Sequence, residues 1–93
     1  MLLFEWNASK ARANLRKHQV SFEEASTVFG DHLSLTIPAD RLYSEDEARF
    51  ITLGVSASQR LLLVVHTERG DRIRIISSRK ATARERTNYE ESR

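Results

Sequence analysis

Five consecutive aliphatic residues, Leu61-Leu62-Leu63-Val64-Val65, constrain the fold of this chain more than any other stretch. Strand side chains point alternately to two faces, so an unbroken apolar run asks for burial on both. Five residues are far too few for a membrane-spanning helix. The run therefore reads as a central strand, Arg60 to Thr67, with a partner on each side. Both partners are close in sequence. Arg49 to Ser56 precedes it, carrying Phe50, Ile51, Leu53 and Val55, and Ala57-Ser58-Gln59 turns the chain. Arg72 to Arg79 follows after the tight connection Glu68-Arg69-Gly70-Asp71. On that strand, alternation places Ile73 and Ile75 on one face and Arg72, Arg74 and Ile76 on the other. Short connections join neighbours, so the three strands form an antiparallel meander.

Upstream, the period changes. Leu33, Leu35 and Ile37 alternate with Ser34 and Thr36, a half-buried strand that Pro38 ends or marks as an edge. Ala39 to Ala48 is polar and acidic and reads as a loop. Before Gly30 the spacing is helical. Asn7 caps a helix over Ala8 to His18, with Ala8, Ala11 and Leu15 on one side. Ser21 and Glu24 form a capping box for a second helix, which buries Phe22, Ala25 and Phe29. Gly30 suits the left-handed position after it. Leu2, Leu3, Phe4 and Trp6 read as a short strand or an apolar plug. Thr82 and Glu85 form another capping box, which starts a helix over Ala83 to Glu91. The expected fold is α+β: two N-terminal helices on one face of an antiparallel sheet of about four strands, then a C-terminal helix. Ninety-three residues make one domain, 1–93.

Charge is divided unevenly along the chain. Residues 1–48 carry 5 basic and 8 acidic side chains, and residues 49–93 carry 10 basic and 5 acidic. The basic half is almost all arginine, whose planar fork matches phosphate and carboxylate. Such a field implies a polyanion or an acidic protein as partner, or, for any one side chain, plain solvation. Without cysteine there is no disulfide or thiolate metal site. His18, His32 and His66 lack metal-ligand spacing, and no glycine-rich phosphate loop or GxSxG elbow is present. No metal and no cofactor is expected. MLLFEWN lacks the basic start of a signal peptide, so the cytoplasm is the expected location and no membrane partner is expected.

Candidate chemistry gathers at the end of the meander, in Ser77 to Tyr89. Arg79 and Lys80 leave the last strand, and Arg84, Glu85, Arg86 and Tyr89 lie on the following helix. Glu85 and Tyr89 are four apart and Arg86 and Tyr89 three apart, so they share a face. An acid, a guanidinium and a phenol near Arg79 suit proton transfer and phosphate binding on RNA, which supplies its own 2′-hydroxyl as nucleophile. Each has a plainer reading: Glu85 as cap, Arg86 paired with Glu90, Tyr89 as anchor to the core. His66, on the central strand, suits a general acid or base, or a packed histidine with a satisfied hydrogen bond.

The segments F-E-W-N, K-A-x-x-N-L-R-K-H-x-V-S-F-E-E-A, R-F-I-T-L-G, L-L-L-V-V-H-T-E-R-G and R-I-R-I-I-S-S-R-K-A-T-A-R-E-R-T-N-Y-E-E resemble the BrnT family in order, from Phe4 to about Glu91. The resemblance implies a RelE-like endoribonuclease toxin of a type II toxin–antitoxin system, acting without a metal and arresting translation. It implies a BrnA-type ribbon-helix-helix antitoxin as partner, with operator DNA bound only through that complex. Arg79, Glu85, Arg86, Tyr89 and His66 match the segments expected to carry catalysis. Arg72, Arg74, Lys80 and Arg84 are the expected RNA-binding residues. The alternative is a non-catalytic RNA-binding or antitoxin-docking module. One position departs from the family's K-H-G form: Gln19 stands where that glycine would end the first helix.

Overall fold

The computed structural model describes residues 2–39 and 48–92. Most of the expected loop Ala39 to Ala48 lies outside the described residues. The chain runs β1 (Leu3–Glu5), α1 (Ala8–His18), α2 (Phe22–Ser26), a 3-10 turn (Thr27–Gly30), β2 (Leu35–Pro38), β3 (Arg49–Val55), β4 (Leu61–Arg69), β5 (Arg72–Lys80) and α3 (Ala83–Glu91). Sheet order is β1-β5-β4-β3-β2, so the Leu61–Val65 run is central as expected. Leu61 to Thr67 are all buried.

Two expectations about the sheet are corrected. It has five strands rather than about four, and it is mixed rather than antiparallel. The extra strand is β1, the apolar N-terminal segment, which pairs parallel with β5 at Leu3–Arg72, Phe4–Ile73 and Glu5–Arg74. The segment's strand character was readable, but its pairing with a partner some 69 positions away leaves no local signal. The meander itself forms as expected. β4 and β5 join through Gly70-Asp71, with Gly70 at φ 61, a turn conformation that glycine adopts without steric cost.

One sheet face carries α1, α2 and the 3-10 turn. Its core is Val20, Phe22, Ala25, Val28, Leu62, Val64 and Ile75, flanked by Phe4, Trp6 and Phe29. Gly54 lets the turn approach: a Cβ there would lie 2.8 Å from Val28 Cγ1. Gly30 does not take the expected left-handed conformation, because it is the last residue of the 3-10 turn and the chain continues extended at Asp31. Among the described residues, the other face, with Leu53, Leu61, Leu63, Val65, Ile51 and Ile76, is covered by α3 through Tyr89.

Of Ala8, Ala11 and Leu15, which share one side of helix α1, Ala11 packs against the core. Leu15 is half exposed, and the buried residue is Asn14. Its amide donates to the carbonyls of Ser78 (2.9 Å) and Val20 (3.0 Å), and its oxygen accepts from the Ser78 amide (3.1 Å). Asn14 thus occupies backbone groups that β5 would otherwise leave open beyond the end of β1. The helix stops at Gln19, which sits in the left-handed region at φ 57, ψ 34. That conformation costs a non-glycine residue about 1 kcal/mol. Arg60 Nη2 holds the turn by donating to the Gln19 carbonyl at 3.0 Å. Gln19→Gly should therefore raise the thermal midpoint, by about 0.5–1 kcal/mol of stability. Calorimetry showing no gain would mean that the Gln19 side-chain bond to the Arg16 carbonyl offsets the strain.

Candidate functional site: a cationic groove beside helix α3

Strand β5 carries a bulge that decides which side chains face the groove. Val65 pairs with Ser77 and His66 with Ile75, so Ile76 is the extra residue. Arg74 and Arg79 are five apart and would point to opposite faces of a regular strand. After the bulge they share one: Arg74 stands opposite Thr67, and Arg79 opposite Leu63. Both therefore lie on the lightly covered face. Lys80, opposite Leu62, goes to the helix-packed face.

Arg79 and Glu85 come together at the junction of β5 and α3. Arg79 Nη1 donates to Glu85 Oε1 at 2.9 Å and Nη2 to Oε2 at 3.0 Å. Glu85 Oε1 also accepts from the Thr82 amide, completing the capping box that starts α3. The Arg79 fork, joined by the Thr82 amide, outweighs partial burial and lowers the Glu85 pKa. Glu85 is thus an ionised, fully engaged carboxylate. A groove of about 370 Å³ opens there, lined by His18, Ile51, Leu63, Val65, Ser77, Ser78, Arg79 and Glu85. A second, mostly apolar groove continues from it across Leu35, Ile37, Ile51, Leu53, Leu63, Glu85 and Asn88. Ile37 there is 58% exposed, the most exposed large apolar residue described.

The other expected site residues are scattered. Tyr89 is buried, and its hydroxyl donates to Asp31 Oδ2, an anchor for α3. Asp31 also accepts from the amides of Val55 and Leu33. Burial alone would raise the Asp31 pKa, but these three donors outweigh it and lower the pKa. Arg84 and Arg86 are exposed on α3. Arg72 and Arg74 sit at the other end of β5, around Glu5 of β1. Glu5 lies 3.1 Å from Arg74, 3.8 Å from Arg69 and 4.0 Å from Arg72, one carboxylate against three guanidiniums. Roughly 16 Å of strand separates this cluster from Arg79.

His66 is not brought to the groove. It stands on the helix-packed face at 1% exposure, edge-on to Phe29 and stacked with Phe50. Nε2 bonds the Thr52 hydroxyl at 2.8 Å, and Thr52 bonds Thr36 at 2.7 Å, so the chain links β4, β3 and β2. Burial pushes its pKa down to about 4, so the ring is neutral. Two residues escaped the sequence reading. Asp31 carries no distinguishing local pattern. His18 follows Asn14 by four, one turn along the same helix face, and that spacing was visible. No group of three or more metal-ligating side chains occurs among the described residues. Nor is any described helix long and apolar enough to cross a membrane.

A small α+β chain with an arginine–carboxylate groove on its thinly covered sheet face is the architecture these residues define. Its residues 6–85 match the family model for the ribonuclease toxin BrnT of type II toxin–antitoxin systems. The chain belongs to that family of ribonuclease toxins, which work with an antitoxin partner. Its fold is similar to that of the Brucella abortus ribonuclease toxin BrnT, known from a crystal structure. The TM-score is 0.66 at 19% identity, covering 88% of this chain and 97% of that chain. No curated protein sequence matches it.

Proposed function

We propose that this chain is a RelE-like endoribonuclease that cleaves RNA without a metal, with Arg79 binding the scissile phosphate. The reading rests on one observation: the Arg79 fork holds a two-oxygen anion in an open groove on the sheet face. A phosphodiester presents the same two-oxygen edge as the Glu85 carboxylate, so it fits the same donors. Arg74 and Arg72, with Arg69, supply a second cationic centre on that face for the RNA chain, and exposed Arg84 and Arg86 extend the field along α3. Cleavage of this kind arrests translation in the cytoplasm.

The partner in this reading is a BrnA-type ribbon-helix-helix antitoxin, which alone contacts operator DNA. Its acidic, amphipathic segment neutralises the toxin by covering Arg79 and the apolar groove over Leu35, Ile37 and Leu53. Charge and apolar area favour the same occupant there.

The deciding experiment is incubation of the purified chain with single-stranded RNA in EDTA. The expected products end in a 2′,3′-cyclic phosphate and begin with a 5′-hydroxyl. Activity that EDTA abolishes and a divalent metal restores would overturn the mechanism. Binding without cleavage would favour the RNA-holding alternative.

A further inference from the structure

We propose that His18 is the proton-transfer group of the groove, a role that no other titratable side chain among the described residues is placed to fill. The inference rests on the reading of the Arg79 groove as a ribonuclease site.

Metal-free transesterification needs a group that takes the 2′-hydroxyl proton near neutral pH. Imidazole is the side chain whose ordinary range brackets that pH. Glu85 accepts from the Thr82 amide as part of the capping box, and that bond keeps it at the start of α3 when Arg79 turns to the phosphate. Tyr89 spends its hydroxyl on Asp31, away from the groove. His66 lies across the sheet, buried between Phe29 and Phe50. His18 lines the groove with Ser77, Ser78, Arg79 and Glu85.

The fold fixes His18 there from both sides. One turn earlier, Asn14 is clamped to both backbone groups of Ser78, the residue before Arg79. One residue later, the chain leaves the helix through left-handed Gln19, whose carbonyl Arg60 holds. His18 is thus the last helical residue, half buried, carried past the edge of β5 to the groove rim. The charged groups around it are Arg79 and Glu85 across the groove, and Lys10 and Lys17 of its own helix on the adjoining cavity.

In the proposed step, neutral His18 takes the proton of the 2′-hydroxyl. The 2′-oxygen bonds to phosphorus as the P–O5′ bond breaks, while Arg79 holds the non-bridging oxygens. The imidazolium returns its proton through solvent to the departing 5′-oxygen. The products are a 2′,3′-cyclic phosphate and a 5′-hydroxyl, and no water is consumed.

The test compares wild type, Arg79→Ala, His18→Gln and His18→Ala on one RNA across pH 5 to 9. The turnover number of His18→Gln should fall by about 10²–10⁴-fold with KM little changed, and its acidic limb should flatten. Imidazole added to His18→Ala should restore part of the rate, which a merely structural side chain would not allow. If wild type cleaves, Arg79→Ala does not, and His18→Gln retains full rate and the same pH profile, the His18 assignment is overturned alone. If wild type cleaves nothing, the ribonuclease reading falls and takes this inference with it.

Discussion

Arg79→Ala should fold as the wild type does, bind RNA more weakly and lose about 10²–10³-fold in cleavage rate. Removing one preorganised donor to a developing oxyanion costs about 3 kcal/mol of barrier height, and Arg79 is the groove's fork for the non-bridging oxygens. The fold should tolerate the change. The Arg79–Glu85 pair is partly exposed, with side chains 39% and 24% accessible, and such pairs contribute only about 0–1 kcal/mol. Glu85 keeps its capping role through the Thr82 amide. Arg79→Lys should recover only a fraction of the rate, because an ammonium cannot reproduce the two-point geometry. Circular dichroism and a fluorescence-quenched RNA substrate measure both halves. A fully active Arg79→Ala would move the site off this groove.

Acidification should destabilise the protein through His66. Its pKa in the folded state is about 4 because burial penalises the cation, against 6.5 when unfolded. A group depressed in this way contributes its stability above the unfolded value and loses it as pH falls. Between pH 6.5 and about 4, the unfolded chain therefore binds a proton that the folded chain rejects. The full displacement is worth about 3 kcal/mol, a large share of the stability of so small a domain. Urea midpoints should drop steeply from pH 7 to 4.5 in wild type. In His66→Gln, which retains a donor for Thr52, that slope should nearly vanish. Equal acid sensitivity in the two proteins would place the titration elsewhere, with Glu85, whose lowered pKa starts from 4.5, the next group to test. Asp31 also has a lowered pKa, but its contribution is lost only below its ordinary value of 3.8.

This placement of His66 separates two readings that the residues alone left open. Same-strand parity with Leu62 and Val64 was legible, and those two are core residues facing α2. Parity therefore pointed to the packed histidine. What it lacked was knowledge of which face the helices cover.

Local features of the sequence determined the elements. Caps at Asn7, Ser21 and Thr82 start their helices where expected, because each satisfies orphan amides a few residues away. The run Leu61–Val65 became the central strand because burial on both faces demands it. Gly70-Asp71 made the hairpin because the turn needs a positive φ. The Arg79–Glu85 pairing was half visible, since six positions and one cap place both at the same strand–helix junction. Tertiary structure alone decided the rest. The parallel pairing of β1 joins residues at opposite ends of the chain. The bulge at Ile76 turned Arg79 onto the face of Arg72 and Arg74, which alternation had denied it. The Asn14 clamp set α1 against the exposed edge of β5 and carried His18 to the groove. Caps and turns act over three or four residues and can be read from spacing. Register and face follow from the packing of the whole chain, and one extra residue in a strand reverses every side chain beyond it.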